Sequence, residues 1–280
     1  PPLLNLNKFI KPDFAIFRVI QPGEGRFRRE ASVAFFNGYG TEINTMRPAR
    51  PETLEDDLRH LGRTLKILRE NNSAFLSHDW IPLYPSLEDG ISVNCWPTAR
   101  KIIFTIFSLK PEGYKGALIP IKDKPGFHAV SLWRQEEIRP EKFKDLPYLP
   151  VEIEAFARHE LETRMEGSLE CLAIFPELIE ARRIEDRIII KLNEKPAGGR
   201  LVLTAGNPDY DSKPLILPPV ETEFGLWEKF GRQGNKLVIQ LFESGGELLD
   251  ERVLNLPPAL PRLISQVKLT EPASRPPAQM

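Results

Sequence analysis

Cysteine is nearly absent: Cys95 and Cys171 are the only two in 280 residues. Two thiols make no disulfide framework, and two buried free cysteines in strands are expected instead. An excess of charge of one sign is absent too. Thirty-eight Lys and Arg stand against thirty-nine Asp and Glu, a formal net charge of −1. A general nucleic-acid binder carries a clear basic excess, so that class is excluded. No apolar run approaches the ~18 residues of a membrane span, which excludes a membrane protein of the helical kind. No charged segment followed by an apolar one marks a signal peptide. Histidine is sparse: His60, His78, His128 and His159 are dispersed, with no helical or hairpin spacing that would hold a metal. No serine stands in a Gly-x-Ser-x-Gly elbow, which removes support for a serine hydrolase. The stretch Asn37-Gly38-Tyr39-Gly40-Thr41-Glu42 lacks the third glycine of a dinucleotide fingerprint. No cofactor and no metal are expected.

Proline, by contrast, is plentiful at 27 residues. Pro82, Pro97, Pro111, Pro120, Pro125 and Pro218 fall between apolar runs, where a residue without an N–H collects at strand ends and sheet edges. The last ten residues, Glu271 to Met280, read as a Pro/Ala linker leading out of a domain. With Pro1-Pro2 in place of an initiator Met, the expectation is a portion of a longer protein.

The pattern of the chain changes near Asn72. Before it, Phe14 to Ile20 reads as a strand or a buried turn of helix, broken by Gln21-Pro22-Gly23-Glu24-Gly25. Ala31 to Phe36 is nearly continuous in apolar residues, which predicts a strand buried on both faces, as in a parallel sheet. A long amphipathic helix follows from about Glu52 to Asn71. Leu54, Leu58, Leu61, Leu65 and Leu68 recur at spacings of four and three and form one stripe. Acids crowd its start and bases its end, matching the helix dipole.

After Asn72 the chain reads as short strands and turns. Strands are predicted at Ile91–Trp96, Lys101–Leu109, Tyr114–Ile121, Phe127–Trp133, Leu149–Ala155 and Ser168–Phe175, with Arg139–Leu146 as a loop. Such spacing argues for a sandwich. A second set is predicted at Arg187–Leu192, Arg200–Ala205, Pro214–Leu217, Glu221–Trp227, Lys236–Phe242, Leu248–Leu254 and Arg262–Leu269. Seven strands over about ninety residues is the size of an immunoglobulin-like module. The turn Ser244-Gly245-Gly246 makes the clearest hairpin. The two sets are expected to meet near Arg182-Arg183.

The candidate site is the loop from Asn37 to Asn44. At the C-terminal end of a barrel strand, active sites are built from such loops. Asn37, Tyr39, Glu42 and Asn44 offer hydrogen bonds, a ring for stacking and a carboxylate, an inventory suited to a sugar. A structural connection with glycines at positive φ is the competing reading. Glycoside hydrolysis needs two carboxylates facing one bond, and Glu42 alone cannot supply both. Glu24 and Glu30 read as solvated loop residues, and Trp80, Trp96, Trp133 and Trp227 as core or interface anchors more often than sugar platforms. No catalytic residue is assigned.

One resemblance runs along these residues: Ala34 to Gly40, the Leu-rich helix, Leu76 to Pro82, Gly90 to Pro97 and Lys101 to Ile106. This stretch resembles the end of the catalytic barrel in large glycoside-hydrolase-like proteins. In those proteins a final barrel strand and helix lead into a β-sandwich. Arg200 to Val267 resembles their additional β-module, and in some a formylglycine-generating-enzyme-like domain comes next. The resemblance implies a mainly β chain: two β-sandwich modules preceded by a terminal β/α remnant of an α/β barrel. Residues 1–72 would be the last barrel strand and helix, 73–180 a β-sandwich, 181–270 an immunoglobulin-like β-sandwich and 271–280 the linker. It further implies a non-catalytic accessory region that supports an upstream barrel domain and contacts an oligo- or polysaccharide. Where such proteins carry a tryptophan-rich stretch after the loop, this chain has Ile43-Asn44-Thr45-Met46-Arg47. Protein-interaction or surface-adhesion modules are the alternative.

Overall fold

A computed structural model of the chain describes residues 3–5, 7–11, 16–21, 27–44, 51–156, 167–209, 211–231 and 235–256. The chain opens with helix α1 (Asn7–Ile10), strand β1 (Phe17–Ile20), helix α2 (Phe27–Phe36) and strand β2 (Gly40–Ile43). β1 and β2 run parallel, Phe17 opposite Gly40 and Ile20 opposite Ile43. Parallel neighbours need a crossover, and α2 is that crossover. Helix α3 (Pro51–Glu70) and the single turn α4 (Asn72–Phe75) complete the helical part. The long amphipathic helix therefore lies where its leucine stripe predicts. Leu61 and Ile67 are its most deeply buried apolar residues.

The run Ala31 to Phe36 is helix, not strand. All six residues are buried, and a segment surrounded by protein needs no apolar stripe to be a helix. A short continuous apolar run cannot be told from a buried strand by periodicity. The deciding signal is local. The Gly38 N–H donates to Phe35 O at 2.8 Å and the Tyr39 N–H to Ala34 O at 2.9 Å. Gly38 has φ +68°. This crossed pair with a left-handed glycine is the Schellman ending of a helix. The last helical carbonyl, that of Phe36, accepts bonds from Asn94 Nδ2 at 2.9 Å and Thr105 Oγ1 at 2.8 Å. The first large sheet thus fixes where α2 stops.

Beyond Asn72 the fold is mainly β, in separate antiparallel sheets. Strands β3 (Ile91–Pro97), β4 (Ile102–Ser108), β5 (Tyr114–Pro120), β6 (Phe127–Ser131) and β7 (Glu136–Ile138) come first. β8 (Glu141–Phe143), β9 (Leu146–Ile153) and β10 (Ser168–Pro176) follow. One sheet has the order β3-β4-β10-β6-β7 and the facing one β5-β9-β8. Val93, Phe104, Ile106, Leu118, Val151 and Leu172 fill the space between them. The expected loop at 139–146 contains β8, joined to β9 by Lys144 and Asp145 at φ +50° and +64°. Two left-handed residues make a tight hairpin turn usually written Asn-Gly, so Lys-Asp concealed it.

The second β unit holds β11 (Ile179–Ile184), β12 (Arg187–Leu192), β13 (Arg200–Ala205), β14 (Leu215–Leu217) and β15 (Thr222–Gly225). Helix α5 (Leu226–Phe230) and the hairpin β16 (Lys236–Phe242) and β17 (Leu248–Asn255) end it. Its sheets are β11-β12-β15 and β14-β13-β16-β17, with Ile188, Ile190, Leu203, Leu237, Ile239 and Leu241 between them. The strand expected to reach Trp227 stops at Gly225 and turns helical. Arg182 and Arg183, expected at the seam, lie mid-strand in β11, paired with Ile189 and Ile188. The predicted strand at Arg262–Leu269 and the linker after it lie outside the described residues.

A third core joins everything. Phe35 and Phe36 of α2, Phe75 of α4, Trp96, Ile103 and Phe107 of the first unit, and Val238, Phe242 and Val253 of the second belong to one cluster. The helical layer packs on the faces of two sheets that point away from their own sandwich cores. This explains why β4, β10 and β16 are buried on both sides and are apolar at nearly every interior position, Thr105, Glu170 and Gln240 being the interruptions.

Candidate functional site

The four expected site residues do not converge. Asn37 is buried at the end of α2. Its Nδ2 donates to Val33 O at 2.8 Å and Leu3 O at 2.7 Å, while its Oδ1 accepts from the Asn5 N–H at 3.0 Å. The Tyr39 hydroxyl donates to Asn5 O at 3.3 Å, and burial pushes its phenol pKa upward. Both side chains tie the N-terminal segment to the helix end. Glu42 is exposed within β2, and Asn44 follows that strand, its N–H bonded to Ile20 O at 2.8 Å. Five steps of extended chain lead from Tyr39 to Asn44, about 16 Å. Asn44 instead lines a hollow of about 330 Å³ with Gln21 and Glu30. Glu30 is a helical residue ion-paired with Arg18, not a solvated loop residue, and Glu24 lies outside the described residues.

Other reactive groups are enclosed. Ser32 Oγ lies 3.1 Å from His60 Nε2, but Ser32 is fully buried. Burial, then Arg28 and Arg63, push the His60 pKa down to about 3. Ser32 is enclosed, and the pair serves as a bond between α2 and α3. Cys95 and Cys171 are free and buried, and burial pushes the Cys95 thiol up to about 12. Trp80 and Trp96 stack at 5.0 Å inside the core, and the Arg63 guanidinium sits 4.9 Å from the Trp133 ring. Among the described residues no group of three or more His, Cys, Asp or Glu is arranged to hold a metal.

The accessible concavity lies elsewhere, beside the segment from Ile121 to Phe127 that joins β5 to β6. Two lobes of about 700 and 480 Å³ flank it and share Ile121, Lys122, Asp123, Lys124, Phe127 and Ile174. Both sizes fall in the range of small-molecule sites. The segment is pinned at its ends: Ile121 N–H donates to Pro147 O at 3.0 Å, and Gly126 O accepts from the Glu177 N–H at 2.9 Å. The smaller lobe runs to Tyr84, Thr98 and Arg100. The larger one reaches Arg139 on the first β unit and Asn193, Arg252 and Leu254 on the second. It therefore straddles their junction.

A charged network forms the wall of the larger lobe. His128 Nε2 lies 2.7 Å from Asp250 Oδ1 and His128 Nδ1 3.2 Å from Glu137 Oε2. A neutral imidazole has one donor, so two carboxylate partners call for the imidazolium. Burial, the largest single influence, pushes the His128 pKa down, but the bonds to Asp250 and Glu137 outweigh it and leave the value raised. Asp250 Oδ2 accepts from the N–H groups of Leu178 and Ile179 at 2.9 and 2.7 Å. Glu137 Oε1 accepts from the Val253 N–H at 2.9 Å, and Arg252 bridges Glu137 and Glu177 at 3.6 and 3.4 Å. This network rivets the first β unit to the second beneath the groove. Both nitrogens of His128 are occupied, so it positions the wall and is not available as a base. The turn Lys124-Pro125-Gly126 was visible in the sequence, but nothing local could show that Arg139 and Arg252 close on it.

No protein-family model matches the chain, and no curated protein does. Among solved structures, an endonuclease/exonuclease/phosphatase from Beutenbergia cavernae DSM 12333 aligns over 85% of this chain and 99% of its own, at 12% identity. Its TM-score of 0.17 is too low for that likeness to carry an argument.

Proposed function

We propose that this chain is the accessory portion of a glycoside-hydrolase-like protein. It supports the end of an α/β barrel on two β-sandwich modules and contributes a surface that contacts sugar. It does no hydrolysis by itself. The observation that supports this most is the state of the β1–β2 pair. These strands are parallel and joined by a helix, as in a barrel, yet among the described residues they form a sheet of two. Phe17 and Val19 are 59% and 54% exposed, whereas parallel sheets are ordinarily covered on both faces. Further parallel strands would complete it. The same unit is anchored by the shared core, so a barrel end mounted there would be held rigidly.

A glycan array probed with the folded chain tests the reading. Retention on at least one oligosaccharide, without release of reducing ends on long incubation, is expected. Turnover of a glycoside by the chain alone contradicts the non-catalytic assignment. The second reading, a protein-interaction module, draws on Ile81, Leu83 and Leu87, which lie exposed along one segment. Capture of a protein ligand with no glycan bound would favour it.

A further inference from the structure

We propose that the two-lobed groove beside Ile121–Phe127 binds an acidic oligosaccharide, one bearing carboxylate or sulfate groups, across the junction of the two β units. This rests on the reading of the chain as a sugar-contacting accessory region and narrows it to one ligand class and one site.

The charge balance of the lining carries the inference. The side chains of Lys122 and Arg139 have no ion pair or hydrogen bond among the described residues, and the Lys124 ammonium lies 3.6 Å from the centroid of the Phe127 ring. All three line the larger lobe, and both lysines line the smaller one as well. Arg100 adds a further cation to the smaller lobe, its guanidinium held at 2.9 Å by Glu194 on the rim. Two of the four acids of the larger lobe are engaged. Glu137 is bonded to His128, Arg252 and a backbone N–H and Glu177 to Arg252, while Asp123 and Glu180 have no ion pair among the described residues. Over both lobes the lining holds six Lys and Arg against four Asp and Glu, although the whole chain carries −1. The surplus lies in the smaller lobe, since the larger one is balanced.

The shape and floor select among anions. Two lobes end to end on either side of one segment suit an elongated ligand more than a single ion. Ile121, Ile174 and Tyr84 supply apolar contact for sugar faces. Stacking platforms for bases are what a single-stranded nucleic acid needs, and the ring of Phe127 already lies against Lys124. The absence of a general basic field also gives no long-range pull on a polyphosphate.

Calorimetric titration of the whole chain tests this with a galacturonic-acid hexamer, a sulfated glucose hexamer, a neutral glucose hexamer and a thymidylate decamer. At least one acidic hexamer binds, and the neutral one binds about tenfold more weakly or worse. The two acidic arms separate carboxylate from sulfate recognition. Raising the salt concentration weakens the acidic arms only. The triple variant K122Q/K124Q/R139Q, all exposed positions, loses about tenfold or more for the acidic hexamer. Should the triple variant fail to fold, Lys124→Gln at the lip of both lobes is read instead, with a loss of about threefold. Equal affinity for the neutral hexamer, unchanged affinity in the variants, or tighter binding of thymidylate overturns the proposal while leaving the accessory reading intact. Failure of every hexamer to bind overturns the site proposed here, and the glycan array decides the sugar contact independently.

Discussion

The helical layer meets its two neighbours in different ways. Toward the first β unit the contact is mainly aromatic. Phe75 and Trp96 pack at 5.2 Å and Phe36 and Phe107 at 6.1 Å, with the Lys8 ammonium enclosed 4.6 Å from the Trp96 ring. Toward the second unit, Val238, Phe242, Leu248 and Val253 join the same core, but ionisable groups border them. Lys101, in the β3–β4 connection of the first unit, reaches across to both the helices and the second unit, its Nζ 2.8 Å from Asn71 Oδ1 and 2.7 Å from Glu247 Oε1. Gln240 Nε2 lies 2.7 Å from Glu251 and 3.5 Å from Glu70, which is itself paired with Lys66 at 2.6 Å. Arg59 on α3 holds Asp209 at 2.8 Å. Apolar burial depends little on pH or salt, whereas these contacts depend on which groups are ionised. The first unit is therefore fixed to the helices, and the second is attached conditionally.

The largest effect is expected on the aromatic side. Trp96→Ala removes a fully buried ring and costs about 3–5 kcal/mol, measured by urea denaturation. A loss no greater than that of a polar-seam variant would break the comparison. Next comes Lys101→Ala, which leaves Asn71 and Glu247 without their buried cation. A cost of about 1.5–3 kcal/mol follows from losing hydrogen bonds to a charged group, read from the same curves.

Glu251 sharpens the contrast, because here removing a charge should help. The residue is fully buried and its Oε1 has no partner. Burial raises its pKa to about 8. A carboxyl that is harder to ionise in the folded state opposes folding progressively as pH rises from its unfolded value toward 8 and beyond. Glu251→Gln should therefore stabilise the protein by about 1–3 kcal/mol at pH 8 or above, with little gain near pH 4. Thermal melts across that range check both the sign and the window.

The smallest effect belongs to His128. Its folded pKa is raised, so the stability that it supplies is complete below the unfolded value of about 6.5. That stability is lost as pH climbs through the folded value. His128→Gln should cost about 1 kcal/mol at pH 5.5 and less at pH 9. A cost independent of pH would place its role in packing instead. His128 and Glu251 both have raised folded pKa values, so both loosen the second unit as the solution becomes alkaline.

Much of the β architecture was legible because its signals are local. Ser244-Gly245-Gly246 announced the β16–β17 hairpin, and the alternation of Leu237, Ile239 and Leu241 with Val238, Gln240 and Phe242 gave its two buried faces. The leucines of α3 were equally plain. Ala31 to Phe36 misled because a fully enclosed helix shows no stripe. Asn37-Gly38, taken as a ligand loop, was a helix ending. The polar loop suggested a sugar site because it gathers hydrogen-bonding residues in sequence, but Asn37 and Tyr39 spend theirs on Leu3, Val33 and Asn5. The groove drew on residues from Tyr84 to Leu254, and only the tertiary fold could assemble them.

Native-state hydrogen exchange at pH 5.5 and pH 9 measures the contrast between the two attachments directly. The amides of β16 and β17 should lose protection at the higher pH, after correction for intrinsic exchange, while those of β3 and β4 keep theirs. Loss of protection in both units together, or in the first unit before the second, would contradict a firmly seated first unit and a conditionally held second one.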